Sequence, residues 1–304
     1  MSPLPSVGVV IPTRDRPQLL RRAVDGVLAQ SYPGRVEVVV VHDGTPPDRT
    51  LERTGPRPVR VVTNTRTPGL AGARNSGILL LDTDYVAFCD DDDQWLAPKL
   101  DRQVERVRRE DRPELVTCAI TVDFDGRLSR RTAGTSTVTH VDLTRSIMSM
   151  LHSSCMFFDR SALVDGIGLV DESIPGSQNE DWDLKLRAAR RRPIAHVDEP
   201  LVIVQWGRGS HFSRSWESKI RSWEWMLEHH PEIRADDRGA SRVYGQIAFA
   251  EAALGHRRDA LRWTGRSLRA HPRQWRAAAT IPVVAGVIDA DRVLNTLHRF
   301  GRGV

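Results

Sequence analysis

Apolar positions in the first half of the chain fall into two alternating periods. Val7–Ile11 (VGVVI) and Val36–Val41 (VEVVVV) are short, nearly continuous apolar runs rich in β-branched residues, the pattern of strands buried on both faces. Val59–Val62, Tyr85–Cys89 (YVAFC) and Leu115–Val122 predict three more strands. Between the first two strands the period lengthens. Leu19, Leu20, Ala23, Val24, Val27 and Leu28 recur at helical spacing, with Asp15 placed to cap the helix and Pro17 in its first turn. A glycine-bearing segment, Pro68–Gly77, is expected to lead into a helix at Ile78–Leu81, and Pro98–Arg109 predicts another. Residues 123–150 are polar and read as a loop or hairpin region. Ile167–Val204 reads as an acidic helix followed by a last strand.

This alternation predicts an α/β domain with a mostly parallel sheet and helices on both faces. Such sheets bind ligands at the carboxyl ends of their strands. Three polar clusters fall at those ends: Pro12–Asp15, His42–Thr45 and Asp90–Asp93. From Trp216 onward the pattern is wholly helical. Ala248–Leu254, a turn at Gly255, then Asp259–Ala270 and Pro272 resemble one tetratricopeptide-type hairpin. A single unit is too few for a solenoid. The helical tail is therefore expected to pack on the main domain or on a partner chain, a homo-oligomer included. The expected domains are 1–213 and 214–304.

The net charge of +5 invites a nucleic-acid reading, but its distribution does not support one. Residues 214–304 carry 16 Arg or Lys against 10 Asp or Glu, while the first 213 residues are close to neutral. The three cysteines, Cys89, Cys118 and Cys155, are too scattered for a disulfide framework or a zinc site and read as buried thiols. No apolar run approaches the roughly 20 residues of a membrane span. Met1–Val7 lacks the basic and apolar regions of a signal peptide. The expected location is the cytoplasm, at most peripheral to a membrane.

The strongest chemical signal is Asp90, Asp91, Asp92 and Asp93, four consecutive carboxylates directly after a buried strand. Such charges repel by about a kcal/mol or more per close pair at a partly buried site. A hard divalent cation, Mg²⁺ or Mn²⁺, relieves that repulsion and prefers one or two carboxylates together with phosphate oxygens. A second acidic site, Glu180-Asp181, precedes a helix with apolar Leu184, Leu186 and Ala188. Acids there suit a helix N-terminus or a general base, and the residues alone leave both readings open. Ser153 and Ser154 have no base-and-acid pair that would make a hydrolase triad. The first strand leads into PTRDR rather than a G-x-G-x-x-G turn, which speaks against a dinucleotide oxidoreductase.

In order, VGVVIPTRDR, VHDGT, GLAGARNSG, YVAFCDDDDQWLAPKL and NEDWDLKLR resemble glycosyltransferase family 2 of the GT-A fold, over residues 6–213. The resemblance implies a nucleotide-sugar-binding α/β sheet, a Mn²⁺ or Mg²⁺ ion, and transfer of a sugar to an acceptor hydroxyl with inversion. It implies that Pro12, Thr13 and Arg14 pack on the nucleoside, and that Asp43 accepts a hydrogen bond from the base of a UDP, dTDP or GDP donor. His42 stands where the family usually has a first acid. Arg74 and Asn75 match the glycine-flanked donor-binding stretch, with Arg74 equally suited to pair with the aspartates. Asp90 and Asp92 match the two acids of the Asp-x-Asp motif, Asp92 being the more direct metal ligand, and Asp91 lies near ribose and donor sugar. Asp181 matches the general base, with Glu180 orienting it or touching the acceptor. His152, Arg208 and His211 match positions near diphosphate, metal or acceptor. The competing readings are a nucleotide-sugar phosphohydrolase or pyrophosphorylase and a non-catalytic nucleotide-sugar-binding scaffold. The donor sugar, the acceptor and the glycan or glycoconjugate being built are not legible from these residues.

Overall fold

The computed structural model describes residues 3–109, 112–206, 216–290, 292–293 and 296. Contacts divide the chain into two units. The first comprises Met1–His140, Met148–Glu172 and Glu180–Gly209; the second comprises Val141–Ile147, Ser173–Asn179 and Ser210–Val304.

The first unit is built on one mixed sheet. Its first elements are β1 (Val7–Thr13), α1 (Pro17–Leu28), β2 (Val36–His42), β3 (Val59–Thr63), α2 (Leu70–Leu80) and β4 (Tyr85–Phe88). There follow β5 (Gln94–Trp95), α3 (Lys99–Val107), β6 (Leu115–Phe124), β7 (Arg127–Arg131), β8 (Thr137–Val138), β9 (Phe157–Asp159), α5 (Glu180–Arg191) and β10 (Ile194–Trp206); between β8 and β9 the chain forms α4 (His140–Arg145), which from Val141 on belongs to the second unit. The strand order is β3-β2-β1-β4-β9-β6-β10-β5, with β7 on β6 and β8 on β10. Strands β3, β2, β1 and β4 run parallel, as do β6 and β10. The three-residue β9 runs antiparallel between β4 and β6 and joins the two parallel parts. Pro200 has no N–H for the ladder, and the β10 register shifts around it. The region expected to be a loop or hairpin holds the β6–β7 hairpin, β8 and α4.

Alternate residues of the central strands feed opposite faces, as the two-residue strand period requires. Val7, Val9, Ile11, Val36, Val38 and Val40 share one apolar cluster with Leu20, Ala23, Val24 and Val27 of α1 and Leu100 and Val104 of α3. Val10 points the other way, against Gly77 of α2. All three cysteines are buried free thiols. Two local expectations change. Helix α2 begins at Leu70, so the glycine-bearing motif is itself helical rather than a lead-in to a helix. The helix tolerates these glycines because they allow close approach: a Cβ at Gly72 would collide with the Thr67 carbonyl, and one at Gly77 with Val10. Asp15 does not cap α1. It takes a left-handed φ of 54°, and Arg16 occupies the N-cap position.

The second unit is helical, with α6 (Trp216–His229), α7 (Pro231–Ala235), α8 (Asp237–Ala253), α9 (Arg257–Ala270) and α10 (Trp275–Val284). Gly255, at φ 81°, turns α8 into α9 as the pattern predicts. A reciprocal clasp closes that hairpin: Ser241 Oγ donates to the Ser267 carbonyl and Ser267 Oγ to the Ser241 carbonyl, each at 2.7 Å. Asp236 caps α8 by accepting from the Arg238 and Gly239 amides at 3.0 Å, and also accepts from Arg145 of α4 at 2.8 Å. No described helix is long and apolar enough to cross a membrane.

One long-range fastening sets the loop between β3 and α2. Glu172 accepts from Arg66 Nε at 2.5 Å, from the Thr67 amide at 3.2 Å and from Asn75 Nδ2 at 2.7 Å. Burial raises its carboxyl, but these donors outweigh burial and hold it at about 2, against an ordinary value of 4.5. A carboxylate with a depressed folded pKa stabilises the fold above its unfolded value and loses that contribution as pH falls toward its folded value. The thermal-stability gap between wild type and Glu172→Gln is thus expected to be full at neutral pH. It should close between about pH 4.5 and pH 2. A second prediction concerns helix packing. Gly77→Ala should destabilise the protein by about 1–3 kcal/mol through overpacking on Val10. Gly26→Ala in α1, where a Cβ would meet Trp95 backbone at an ordinary 3.5 Å, should be neutral or stabilising because alanine favours the helix. Urea midpoints of the two variants check this.

Candidate active site

The carboxyl ends of β1, β2 and β4 bring the first two polar clusters beside the aspartate run. Pro12 is buried within β1, and Thr13 ends that strand. Thr13 Oγ donates to Asp91 Oδ2 at 2.7 Å. Arg16, at the start of α1, places one Nη1 between two carboxylates, 3.0 Å from Asp91 Oδ1 and 2.6 Å from Asp92 Oδ2. The four aspartates have different surroundings. Asp93 is buried and accepts from Ser154 Oγ at 2.5 Å, with His152 Nδ1 at 3.2 Å. Asp90 accepts from Ser153 Oγ and from Arg74 Nη2, each at 2.7 Å, while its own amide donates to Ser154 Oγ at 2.9 Å.

Crowding of like charges sets the electrostatics. Burial, then the charges of Asp93 and Asp90, push the Asp92 carboxyl up to about 7, and Arg16 only partly offsets them. Burial also lifts Asp91 above the carboxylate range despite Thr13 and Arg16. Burial opposes the charge of His152, but Asp93 and then Asp90 and Asp181 raise it to about 9. Its Nδ1 faces Asp93 and also lies 3.3 Å from the Ser154 amide, which donates to it.

Arg74 is the link to the second acidic site. It lies on α2, is buried, and bonds Asp90 with one terminal nitrogen and Glu180 Oε1, at 2.5 Å, with the other. Phe88 of β4 lies under its guanidinium, 5.4 Å from carbon to ring centroid. Burial disfavours its charge, yet Asp90 and Glu180 hold it protonated beyond the ordinary arginine range. Glu180 and Asp181 open α5 but point apart, since neighbours on a helix are rotated by about 100°. Glu180 is buried against Arg74, and burial with the Asp181 charge pushes its carboxyl up to about 7 against the pull of Arg74. Asp181 stays partly open to solvent. Lys185, one turn on, donates to its Oδ2 at 3.0 Å and to the Leu151 carbonyl at 3.0 Å. Burial raises the Asp181 carboxyl, but Lys185 and His152 outweigh this and hold it ionised below the ordinary range. Among the described residues only Lys185 hydrogen-bonds its carboxylate, so Oδ1 remains able to accept a proton.

The other expected site residues separate into two groups. Asp43 faces the loop after β3, accepting from the Gly69 amide at 3.0 Å and Asn64 Nδ2 at 2.8 Å. Arg14 is exposed and comes within 3.9 Å of Asp43. Asn75 faces inward: its amide spans the Val170 backbone and Glu172, so it fastens α2 to residues 170–172 rather than opening toward the acids. His42 is buried, neutral through burial, and occupied by Thr45 Oγ and the Asp48 amide, each at 3.2 Å. Arg208 and His211 lie outside the described residues. Arg16 and Lys185 join the cluster without having been given a role from sequence. Their only signal is proximity in chain to the named motifs.

The donor set fits a hard divalent cation: carboxylate oxygens carry more negative charge than the surrounding cations balance, as the elevated Asp92 value reports. Among the described residues, ligand atoms of Asp90, Asp93 and His152 also lie within 4.8 Å of one another. Of these acids Asp93 is buried and accepts from Ser154, whereas the carboxylates of Asp90 and Asp92 are more open.

Comparison with known proteins identifies the family and the fold. The family profile described as Glycosyl transferase family 2 matches residues 8–166. An uncharacterized glycosyltransferase of Rickettsia felis is 26% identical over 208 residues, covering 66% of this chain and 34% of that protein. The Escherichia coli UDP-Glc:alpha-D-GlcNAc-diphosphoundecaprenol beta-1,3-glucosyltransferase WfgD is 30% identical over 101 residues, 32% of this chain and 39% of WfgD. The chain thus spans little more than a third of either relative. Among solved structures, Staphylococcus aureus TarS 1–349 with UDP-GlcNAc superposes with a TM-score of 0.62 at 16% identity, covering 98% of this chain and 92% of that one. The mannosyltransferase PcManGT of Pyrobaculum calidifontis, with GDP-Man and Mn²⁺, gives 0.54 at 19% identity, covering 98% and 81%. These likenesses bear on the fold, which is that of the GT-A enzymes. The matched profile, the ordered motifs and the shared architecture make this chain a member of glycosyl transferase family 2.

Proposed function

We propose that the protein transfers a sugar from a nucleoside diphosphate sugar to an acceptor hydroxyl, with inversion at the anomeric carbon, using Asp181 as general base. The observation that carries this reading is the buried Arg74 bridge between Asp90 and Glu180. It fixes the aspartate run and the ionised Asp181 within one site, as a reaction with a charged leaving group and a weak nucleophile requires. The UDP-GlcNAc of TarS, the GDP-Man of PcManGT and the UDP-Glc in WfgD's name support a nucleotide-sugar donor.

Each group has a defined task. Asp181 Oδ1 takes the proton of the acceptor hydroxyl as its oxygen attacks the anomeric carbon. The bond to the diphosphate breaks with its electron pair leaving on the diphosphate oxygen, and a single displacement inverts the carbon. Lys185 keeps Asp181 charged and aimed. Asp43 serves the nucleobase, and Asp91 and Thr13 lie on the donor side. Asp90 and Asp92 would hold Mn²⁺ or Mg²⁺, which supplies positive charge for the departing diphosphate. The Mn²⁺ in PcManGT supports that assignment. The acceptor hydroxyl belongs to a glycan or glycoconjugate.

Two variants separate the roles. Asp181→Asn should lower transfer by about 10²–10⁴-fold, while calorimetry still detects UDP or GDP binding with Mn²⁺. Transfer at the native rate would overturn the base assignment. Asp92→Asn should cost about a hundredfold in Mn²⁺-dependent nucleotide affinity, since lost outer partners of a metal site alone cost 10–100-fold. Unchanged binding would overturn the ligand assignment.

A further inference from the structure

Arg16 sits where a cation serving the aspartates would sit. A single guanidinium nitrogen, Nη1, bridges Asp91 Oδ1 and Asp92 Oδ2 at 3.0 and 2.6 Å. Among the described residues, Arg16 is the hydrogen-bond partner of Asp92, and no other cation pairs with that carboxylate. Asp91 is anchored on its other oxygen by Thr13, so it cannot turn away to serve a second cation elsewhere. Arg16 is also placed to move. Its backbone is the N-cap of α1, where its carbonyl accepts from the Leu20 amide at 2.9 Å, and its side chain makes no capping bond that would tie it to the helix. The guanidinium is partly exposed, unlike that of Arg74, which is buried and tied to two acids.

Two cations cannot share the Asp92 oxygen without strong repulsion. The ion and Arg16 therefore compete for the same carboxylate. A nucleoside diphosphate changes the competition, because its phosphate oxygens offer the guanidinium a planar, bidentate alternative.

We propose that Arg16 is a positioning residue that couples metal and nucleotide binding: it holds Asp91 and Asp92 closed to a divalent ion until a diphosphate draws it away. This inference rests on the metal assignment above and goes beyond it, since it fixes the order and the coupling of binding. Asp90 and Arg74 form the permanent half of the site, and Asp92 and Arg16 the exchangeable half.

The test is direct Mn²⁺ binding to the full chain, read by electron paramagnetic resonance of free Mn²⁺, without nucleotide and with saturating UDP or GDP. In wild type, nucleotide should tighten Mn²⁺ by about tenfold or more, within the usual range of coupling between sites. Arg16→Gln should bind Mn²⁺ about tenfold tighter than wild type without nucleotide, and the gain on adding nucleotide should shrink by about the same factor, leaving only what the phosphate oxygens supply directly. Arg16→Lys, which keeps a cation at the position, should retain most of the coupling. A variant that only disturbed the helix start would weaken Mn²⁺ binding in every condition rather than strengthen it without nucleotide. If Arg16→Gln binds Mn²⁺ no tighter than wild type without nucleotide, or keeps the full nucleotide effect, the role of Arg16 is overturned while the metal site stands. If wild type, Arg16→Gln and Arg16→Lys all fail to bind Mn²⁺ with any nucleotide, both the metal assignment and this inference fall.

Discussion

A guanidinium buried between two carboxylates holds the site together. Arg74 must be charged to serve Asp90 and Glu180, and in an apolar setting a charge persists only when it is paired and hydrogen-bonded. Each acid in turn relies on it. Removing one partner of such a buried set typically costs about 3–5 kcal/mol, because the others are left as uncompensated charges. The arrangement is therefore weak as a source of net stability but strong as a constraint on geometry. It sets how far the end of β4 stands from the start of α5. Phe88 beneath the guanidinium ties the same group to the sheet, so helix α2, strand β4 and helix α5 share one reference point.

Around that fixed point the remaining charge is left unbalanced on one side. Asp93 is held by His152 and Ser154, and Asp90 by Arg74 and Ser153. Asp92 receives one partly exposed arginine, and its neighbours push its carboxyl up to about 7. A group held that close to its own neutralisation is stabilised by added positive charge more than a solvated aspartate is. The site thus combines a rigid, balanced floor with an acidic edge open to ions and phosphates. Asp181 lies outside this contest, because Lys185 satisfies one of its oxygens from within the same helix, the favoured spacing for such pairs.

What the sequence conveyed follows the range over which each interaction acts. Strands β1, β2 and β6 announce themselves because burial on both faces demands nearly continuous apolar and β-branched residues, and β3 and β4 through shorter apolar runs. The aspartate run was legible because four adjacent charges at a strand end have few inexpensive structural uses. The three-residue β9 was not, since Phe157–Asp159 is too short for any period to register. The start of α2 was missed because glycines and an asparagine mask a helix whose faces are fixed by close packing on Thr67 and Val10. Asn75 looked like a ligand-facing residue, yet its partner Glu172 lies 97 positions away, beyond any local pattern. The divergence of Glu180 and Asp181 follows from helical rotation alone once α5 is known to begin at Glu180. Arg16 gave no signal of its own, because an arginine before a helix ordinarily reads as a solvated charge.

The antiparallel β9 has a bearing on biosynthesis. The half-sheet β3-β2-β1-β4 is complete once residue 88 has left the ribosome, and its contacts are local enough to form early. The aspartates follow immediately, but the amide of Asp90 finds its acceptor only at Ser154, and β6 has no neighbour on its β4 side until Phe157–Asp159 arrive. Arg74 waits longer still, for Glu180. During synthesis of the intervening segment, Thr13, Arg16 and Arg74 are already available to Asp90, Asp91 and Asp92, whereas Ser153, Ser154 and Glu180 are not. The bridge from β4 to α5 is therefore completed last, so a truncated or stalled chain can pair its first four parallel strands without fixing the second acidic pair beside the aspartates.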